Sequence, residues 1–254
     1  MTHTILVTGG TGTLGKRVVP LLRAAGHRVR VLSRHQRGAD YVTGDLVAGE
    51  GIQAAVAGVE IVVHLAGGPK GDDVAARNLV RAAAGAGSVR HLVYISVVGA
   101  DRVPLGWFRT ALAAERAVTG SGLPYTLLRA AQFHEIVFGM LEKMAKLPVI
   151  PNPGGLRLQP VDSRDVAARL AELALGAPAG RVPDLTGPAV YKMDELIRGY
   201  LETQGKRRPL LPIRIPGKAG RAYRAGENLA LEGTDVGERT WENFLADKDS
   251  VATR

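Results

Sequence analysis

Three glycines at a spacing of three, Gly9, Gly12 and Gly15, stand between the apolar run Thr4-Ile5-Leu6-Val7 and a stretch with apolar residues at helical intervals, Leu14, Val18, Leu21 and Leu22. A strand, a glycine turn and a helix form the context that a dinucleotide-binding loop requires. Within Thr8-Gly9-Gly10-Thr11-Gly12-Thr13-Leu14-Gly15, Gly9 permits a tight turn and Gly12 lets a pyrophosphate approach the backbone. Gly15 lets the helix sit close to the strand. The first helical N–H groups and the positive end of the helix dipole then face the phosphates. Glycine makes up 32 of the 254 residues, so the triad alone says little. Its meaning comes from its place, opening a βαβ unit that continues into a second strand at Arg28-Val29-Arg30-Val31-Leu32. The chemistry this predicts is dinucleotide binding.

The end of that second strand bears on which dinucleotide. An NAD site places Asp or Glu about 20 residues after the loop, on the ribose 2′-hydroxyl. Here the strand ends Leu32-Ser33-Arg34-His35-Gln36-Arg37, and the first acidic residue of the chain is Asp40. Ser33, Arg34 and Arg37 suit a 2′-phosphate, because a charge-assisted arginine–phosphate hydrogen bond contributes on the order of 1.5–3 kcal/mol. NADP(H) is therefore the expected cofactor. Asp45, in Gly44-Asp45-Leu46, can accept from an adenine amino group or cap a helix over 48–57. Leu65-Ala66-Gly67-Gly68 ends a further strand in small residues, which suits close passage of the cofactor ribose.

The elements that must hold these residues alternate through the first 150 positions. Strands are expected at 28–32, 41–46, 60–66, 91–96 and 125–129, with helices near 49–57, 72–86, 108–119 and 133–145 between and after them. Strands this apolar, separated by helices, belong in a parallel sheet covered on both faces, in the doubly wound Rossmann order. Residues 1–150 form the expected NADP-binding domain. A turn-rich stretch, Leu147 to Gly155, then leads into residues 151–254, an α/β substrate lobe that is not independent. That lobe should hold helices at 165–175, 193–203 and 236–245 and a strand at 182–186.

Bulk properties narrow the partners. There is no apolar run of about 18 residues, so no membrane span is expected. The first strand begins so early that no signal peptide is expected either. The absence of cysteine excludes disulfides and thiolate metal sites, no metal is expected, and a reducing cytoplasm fits. The net charge is +9, and residues 1–39 carry +7 of it (Lys16, Arg17, Arg23, Arg28, Arg30, Arg34, Arg37) with no acid, around the phosphate loop. A second basic stretch from Lys206 to Arg224 carries only Tyr223 as an aromatic, which argues against nucleic acid.

The chain resembles an atypical short-chain dehydrogenase/reductase of the NmrA-like NAD(P)-binding group. Thr8 to Gly15, Gly44-Asp45-Leu46, His64-Leu65-Ala66-Gly67, Asn78-Leu79-Val80 and Tyr94-Ile95-Ser96-Val97-Val98-Gly99 carry the resemblance. Arg129-Ala130-Ala131-Gln132-Phe133 and Asp165-Val166-Ala167 extend it. It implies that Ser96, Ala130, Gln132 and Phe133 lie near a nicotinamide. It also exposes a departure. Reductases of this superfamily carry a Tyr-x-x-x-Lys pair on the helix after the fifth strand, the tyrosine as general acid and the lysine lowering its pKa. Here Trp107 and Ala111 take those positions, and no Tyr-x-x-x-Lys occurs anywhere in the chain.

Ser96 remains as a candidate catalytic group, and His134, just after the sixth strand, is a candidate proton donor. Trp107, Phe108, Phe133 and His134 are the expected substrate contacts, the three rings forming a flat slot for an aromatic or quinone substrate. Besides an isomerase or cyclase that uses the fold without net redox change, two functions follow from the resemblance. One is an NADPH-dependent oxidoreductase acting on a small, flat, conjugated acceptor. The other is a non-catalytic NADP(H)-binding redox sensor that signals to a protein partner.

Overall fold

The computed structural model describes residues 2–68 and 70–252. In chain order the elements are β1 (Thr4–Thr8), α1 (Gly15–Ala24), β2 (Arg28–Ser33), β3 (Tyr41–Thr43), α2 (Ile52–Val56), β4 (Ile61–His64), α3 (Asp72–Ala86), β5 (His91–Val97), α4 (Gly106–Thr119), β6 (Tyr125–Ala130) and α5 (His134–Met144). There follow β7 (Ile150–Pro153), β8 (Arg157–Leu158), α6 (Ser163–Leu175), β9 (Gly180–Arg181), β10 (Leu185–Thr186), β11 (Tyr191–Lys192), α7 (Met193–Thr203), β12 (Leu210–Ile213), α8 (Gly217–Ala225), β13 (Asp235–Val236) and α9 (Trp241–Ala252). The chain divides into two compact units, each built from separate stretches. The first comprises Met1–Ser96, Gly106–Arg129 and Val166–Val182; the second comprises Val97–Leu105, Ala130–Asp165 and Pro183–Arg254.

In the first unit the strand order is β3-β2-β1-β4-β5-β6, with β9 also on β6. The pairs β1·β2, β1·β4, β2·β3 and β4·β5 are all parallel. This is the Rossmann order expected of strands joined by right-handed crossovers. Ile5, Leu6 and Val7 are each fully buried, so both faces of the sheet are covered. On one face Leu6, Val62, Leu92 and Leu127 meet α2, α3 and α4 through residues such as Ile52, Leu79 and Val118. The register sets Thr8 beside His64 and His64 beside Tyr94, a row of polar side chains at the carboxyl ends of β1 and β4 and midway along β5.

In the second unit β10 pairs in parallel with β13 and with Ala130, β7 with β12 in parallel, and β8 with β11 antiparallel. Its core gathers Leu141, Ile150, Leu196, Ile197, Trp241 and Phe244.

Most expected elements fall within two or three residues of their places, and Asp72–Ala86 and Met193–Thr203 match them. Three differences have physical reasons. The turn-rich stretch around 150 contains a strand despite two prolines. Ile150 and Gly154 donate their N–H groups to Pro209 and Ile213, and the prolines occupy the alternate positions, where no donor is required. Of the strand expected at 182–186 only Leu185–Thr186 forms, beyond Pro183, and the short β9 precedes it. The last helix starts at Trp241 rather than Val236, because Thr240 and Asn243 cap it reciprocally: the Asn243 N–H donates to Thr240 Oγ1 at 3.2 Å and the Thr240 N–H to Asn243 Oδ1 at 3.1 Å.

Candidate functional site

The glycine loop separates positions that the fold needs from one that it does not. Gly9 has φ +69°, and a Cβ there would stand 2.6 Å from the Ala66 nitrogen. A Cβ on Gly15 would stand 2.3 Å from the Gly9 oxygen, so this glycine closes the helix onto the loop itself. A Cβ on Gly12 would meet only the Gly9 oxygen, at 3.3 Å, and Gly12 is exposed. Nothing in the chain's own packing demands a glycine at 12, whereas close approach of a pyrophosphate does. The start of α1 carries no side-chain cap and no acid in its first turn, and Lys16 and Arg17 follow. These residues fit a dinucleotide phosphate.

Thr8 ties the loop to the end of β4. Its Oγ1 accepts from the Ala66 N–H at 3.3 Å and lies 2.6 Å from His64 Nδ1. Burial holds the His64 pKa down at about 4, and its ring stacks on Tyr94 with centroids 5.3 Å apart. Leu65 and Ala66 are half-buried and Gly67 is exposed.

At the end of β2 the Ser33 hydroxyl accepts from the His35 N–H at 3.2 Å, and Arg34 and Arg37 are exposed. Asp45 Oδ1 accepts from the N–H groups of Val47, at 2.7 Å, and Ala48, at 3.1 Å. These two backbone bonds hold its pKa below the ordinary carboxylate value, and Arg34 is close enough to add to the effect. Arg34 and Asp45 are thus brought together. The expected capping role needs correction: Asp45 caps the turn at 45–50, and the N-cap of α2 is Gly51. Leu46 is buried, and its carbonyl accepts from Asn78 Nδ2 at 2.8 Å.

Ser96 faces α4. Its hydroxyl donates to Glu115 Oε1 at 2.5 Å, and Glu115 receives Arg129 Nε at 2.8 Å and its terminal nitrogen at 2.7 Å. Both charged side chains are under 10% exposed. Sequence reasoning missed this pair, although an arginine inside the apolar strand Thr126-Leu127-Leu128-Arg129 requires a buried acid. Glu115 lies one turn beyond Ala111, on the helix where a Tyr–Lys pair would sit, and Ala111 is buried while Trp107 is 37% exposed.

Two of the expected substrate contacts are buried. Phe108 is 1% exposed and meets Trp107 edge-on with centroids 5.1 Å apart. His134 is 0% exposed, with its ring against Trp241 and Phe244 at 5.7 and 5.3 Å between centroids and its Nδ1 3.6 Å from Asp162 Oδ2. It offers no proton at an accessible surface. In the same unit Ala130 is buried, while Gln132 and Phe133 are half-buried and the Phe133 backbone bridges Val161. Among the described residues no cluster of His, Cys, Asp or Glu could hold a metal ion. Among them, too, no helix is long and apolar enough to cross a membrane.

A parallel sheet in this order with a glycine loop at its carboxyl edge defines a Rossmann-type dinucleotide-binding protein. Residues 9–174 match the model of the NAD(P)H-binding family, and the chain belongs to that family of NAD(P)H-dependent oxidoreductases. It is 32% identical over 201 residues to the (4-alkanoyl-5-oxo-2,5-dihydrofuran-3-yl)methyl phosphate reductase of Streptomyces griseus, covering 72% of this chain and 68% of that protein. It is 26% identical over 255 residues to the photosystem II assembly factor Ycf39 of Trieres chinensis, covering 89% and 78%. The NADPH-dependent quinone oxidoreductase of Escherichia coli, solved with NADPH, shares the fold, with a TM-score of 0.80, 20% identity and coverage of 96% and 99%.

Proposed function

We propose that the protein is an NADPH-dependent reductase of a small, flat, conjugated acceptor, a quinone or an aromatic ketone. The observation that carries this reading is the pair Trp107 and Ala111, which leaves α4 without an ionisable group at the positions of the usual acid and its lysine. A quinone, whose product oxyanion is delocalised into the new aromatic ring, needs the least help from such an acid, and an aromatic ketone, whose product is a localised alkoxide, needs more. When bound, the reduced nicotinamide supplies the hydride. The chain's own part is to orient and to exclude water. The N–H groups between Gly9 and Gly15 bind the phosphates, and Ser33, Arg34 and Arg37 bind the 2′-phosphate. Asp45 and Leu46 flank the adenine, and Leu65, Ala66 and Gly67 pass the ribose. Ser96 offers its oxygen as an acceptor, since its hydrogen is engaged by Glu115. The half-open Trp107 offers a flat contact to the acceptor. The reductase from Streptomyces griseus supports a reducing role, and the cysteine-free composition supports the cytoplasm.

The loss of Tyr and Lys equally favours a second reading, a non-catalytic NADP(H)-binding sensor, and the relation to an assembly factor leans the same way. Anaerobic NADPH oxidation against a panel of quinones and aromatic ketones separates the two. Turnover with at least one acceptor is expected; tight NADPH binding with none would turn the assignment to the sensor.

A further inference from the structure

We propose that Asp72 is the proton donor of this site, filling the role that a Tyr–Lys pair fills elsewhere in the superfamily. The inference rests on the reductase reading and adds to it the residue that completes the reaction.

Asp72 is the first residue of α3, and its carboxyl turns back over the end of β4. Oδ1 accepts from the Gly68 N–H at 2.7 Å, and Oδ2 lies 3.6 Å from the point a Cβ on Gly67 would occupy. The carboxyl therefore sits at the strand end assigned to the cofactor ribose. On the neighbouring strand Tyr94 and Ser96, two residues apart, share one face. The Tyr94 phenol feels the charges of Asp72 and Glu115 and interacts with the Ser96 hydroxyl. One polar cluster thus joins the ends of β4 and β5 to the start of α3 and to α4.

Within that cluster the other candidates are spoken for. Glu115 is held by Arg129, and the Ser96 hydrogen is held by Glu115. Burial pushes the Tyr94 phenol far above its ordinary range, and the buried His64 is hydrogen-bonded to Thr8. Asp72 is half-buried and pairs with no cation among the described residues; Lys70 is exposed, and Asp73 is paired with Arg77 at 2.8 Å. Burial raises the Asp72 carboxyl to about 6, with the Gly68 N–H opposing and Asp73 adding to the rise. A carboxylic acid that keeps its proton near neutrality is suited to general acid work.

The step balances simply. As the acceptor carbonyl takes up hydride with its electron pair, the C=O π pair moves onto oxygen. The Asp72 O–H bond breaks, its hydrogen bonds to that oxygen, and the carboxylate left behind takes a proton from water. The acceptor gains one hydride and one proton.

The test has two arms. In the unmodified, cofactor-free protein, the sequentially assigned Asp72 carboxyl carbon should titrate by NMR near pH 6, and titration near 4 would overturn the proposal. In the second arm Asp72→Asn and the neighbouring control Asp73→Asn are compared with a quinone and with an aromatic ketone between pH 5 and 8. The unmodified protein should lose ketone turnover about tenfold per pH unit above about pH 6, and Asp72→Asn should abolish that limb. Asp72→Asn should also lower ketone kcat at pH 6 by about 10²-fold or more, lower quinone kcat far less, and leave NADPH affinity within about twofold. Asp73→Asn should keep the ketone rate at pH 6 within a few-fold and keep the alkaline limb, moved to lower pH because the neighbouring charge that raises Asp72 is gone. A structural defect would depress both acceptors alike, and that result, or an unchanged ketone rate and pH profile, overturns Asp72 while the reductase reading stands. Absence of turnover by the unmodified protein with every acceptor overturns both.

Discussion

Ser96 gives its hydroxyl hydrogen to Glu115 at 2.5 Å, and Glu115 is gripped by Arg129 through both of its oxygens. The serine's hydrogen is thus committed inside the protein, and only its oxygen lone pairs are left for other partners. That orientation depends on a buried ion pair whose two members are 14 residues apart, one on α4 and one on β6. Removing the acid alone strands a guanidinium in the interior. We predict that Glu115→Ala destabilises the protein by about 3–5 kcal/mol, and that adding Arg129→Met recovers most of the loss. Urea unfolding of the single and double variants measures both; a single variant within about 1 kcal/mol of the unmodified protein would show that the pair carries little.

Cofactor choice rests on Arg34 and on the missing acid at the end of β2. Calorimetric titration should show NADPH binding tighter than NADH by about tenfold or more, and Arg34→Ala should shrink that gap by about 1–2 kcal/mol. Equal affinities in the unmodified protein would leave Arg34 as a surface charge near Asp45.

What was legible in the sequence was local. The glycine loop, the strand ends and helices such as Asp72–Ala86 follow from patterns that repeat over two to four residues, and the structure keeps them. What was not legible depends on partners distant in sequence. Arg129 announced a buried charge but not that Glu115 would meet it. Pro151 and Pro153 read as breakers, because only the pairing with β12 reveals that their positions need no donor. His134 carried the right chemistry for a proton donor; its seat against Trp241 and Phe244, over a hundred residues later, takes it out of reach.

His64 should leave a signature in acid. Its pKa falls from 6.5 to about 4 on folding because burial disfavours the imidazolium. The folded state therefore refuses a proton that the unfolded chain accepts between these values. Stability should rise with pH across that window and level off above it, by about 3 kcal/mol in all. His27 and His91, also lowered, act in the same direction, so the difference between the unmodified protein and His64→Gln isolates this one group. Denaturation at pH 4, 5, 6 and 7 should give a flatter curve for the variant; parallel curves would mean that His64 charges freely in the folded state.

Gly12 and Gly15 look interchangeable in a motif, yet the backbone treats them oppositely. A side chain at 15 would collide with the Gly9 oxygen and the Gly10 backbone, whereas one at 12 meets a single atom at 3.3 Å and has no left-handed φ to contend with. Gly15→Ala should therefore cost at least about 2 kcal/mol of stability through overpacking against backbone that cannot yield. Gly12→Val should stay within about 1 kcal/mol of the unmodified protein and yet lose NADPH binding, its branched side chain standing where the pyrophosphate must approach. Thermal unfolding with and without NADPH reads both quantities in one experiment, since a bound nucleotide raises the midpoint and an unbound one does not. A stable Gly12→Val protein whose midpoint still climbs with NADPH would move the phosphates away from this loop.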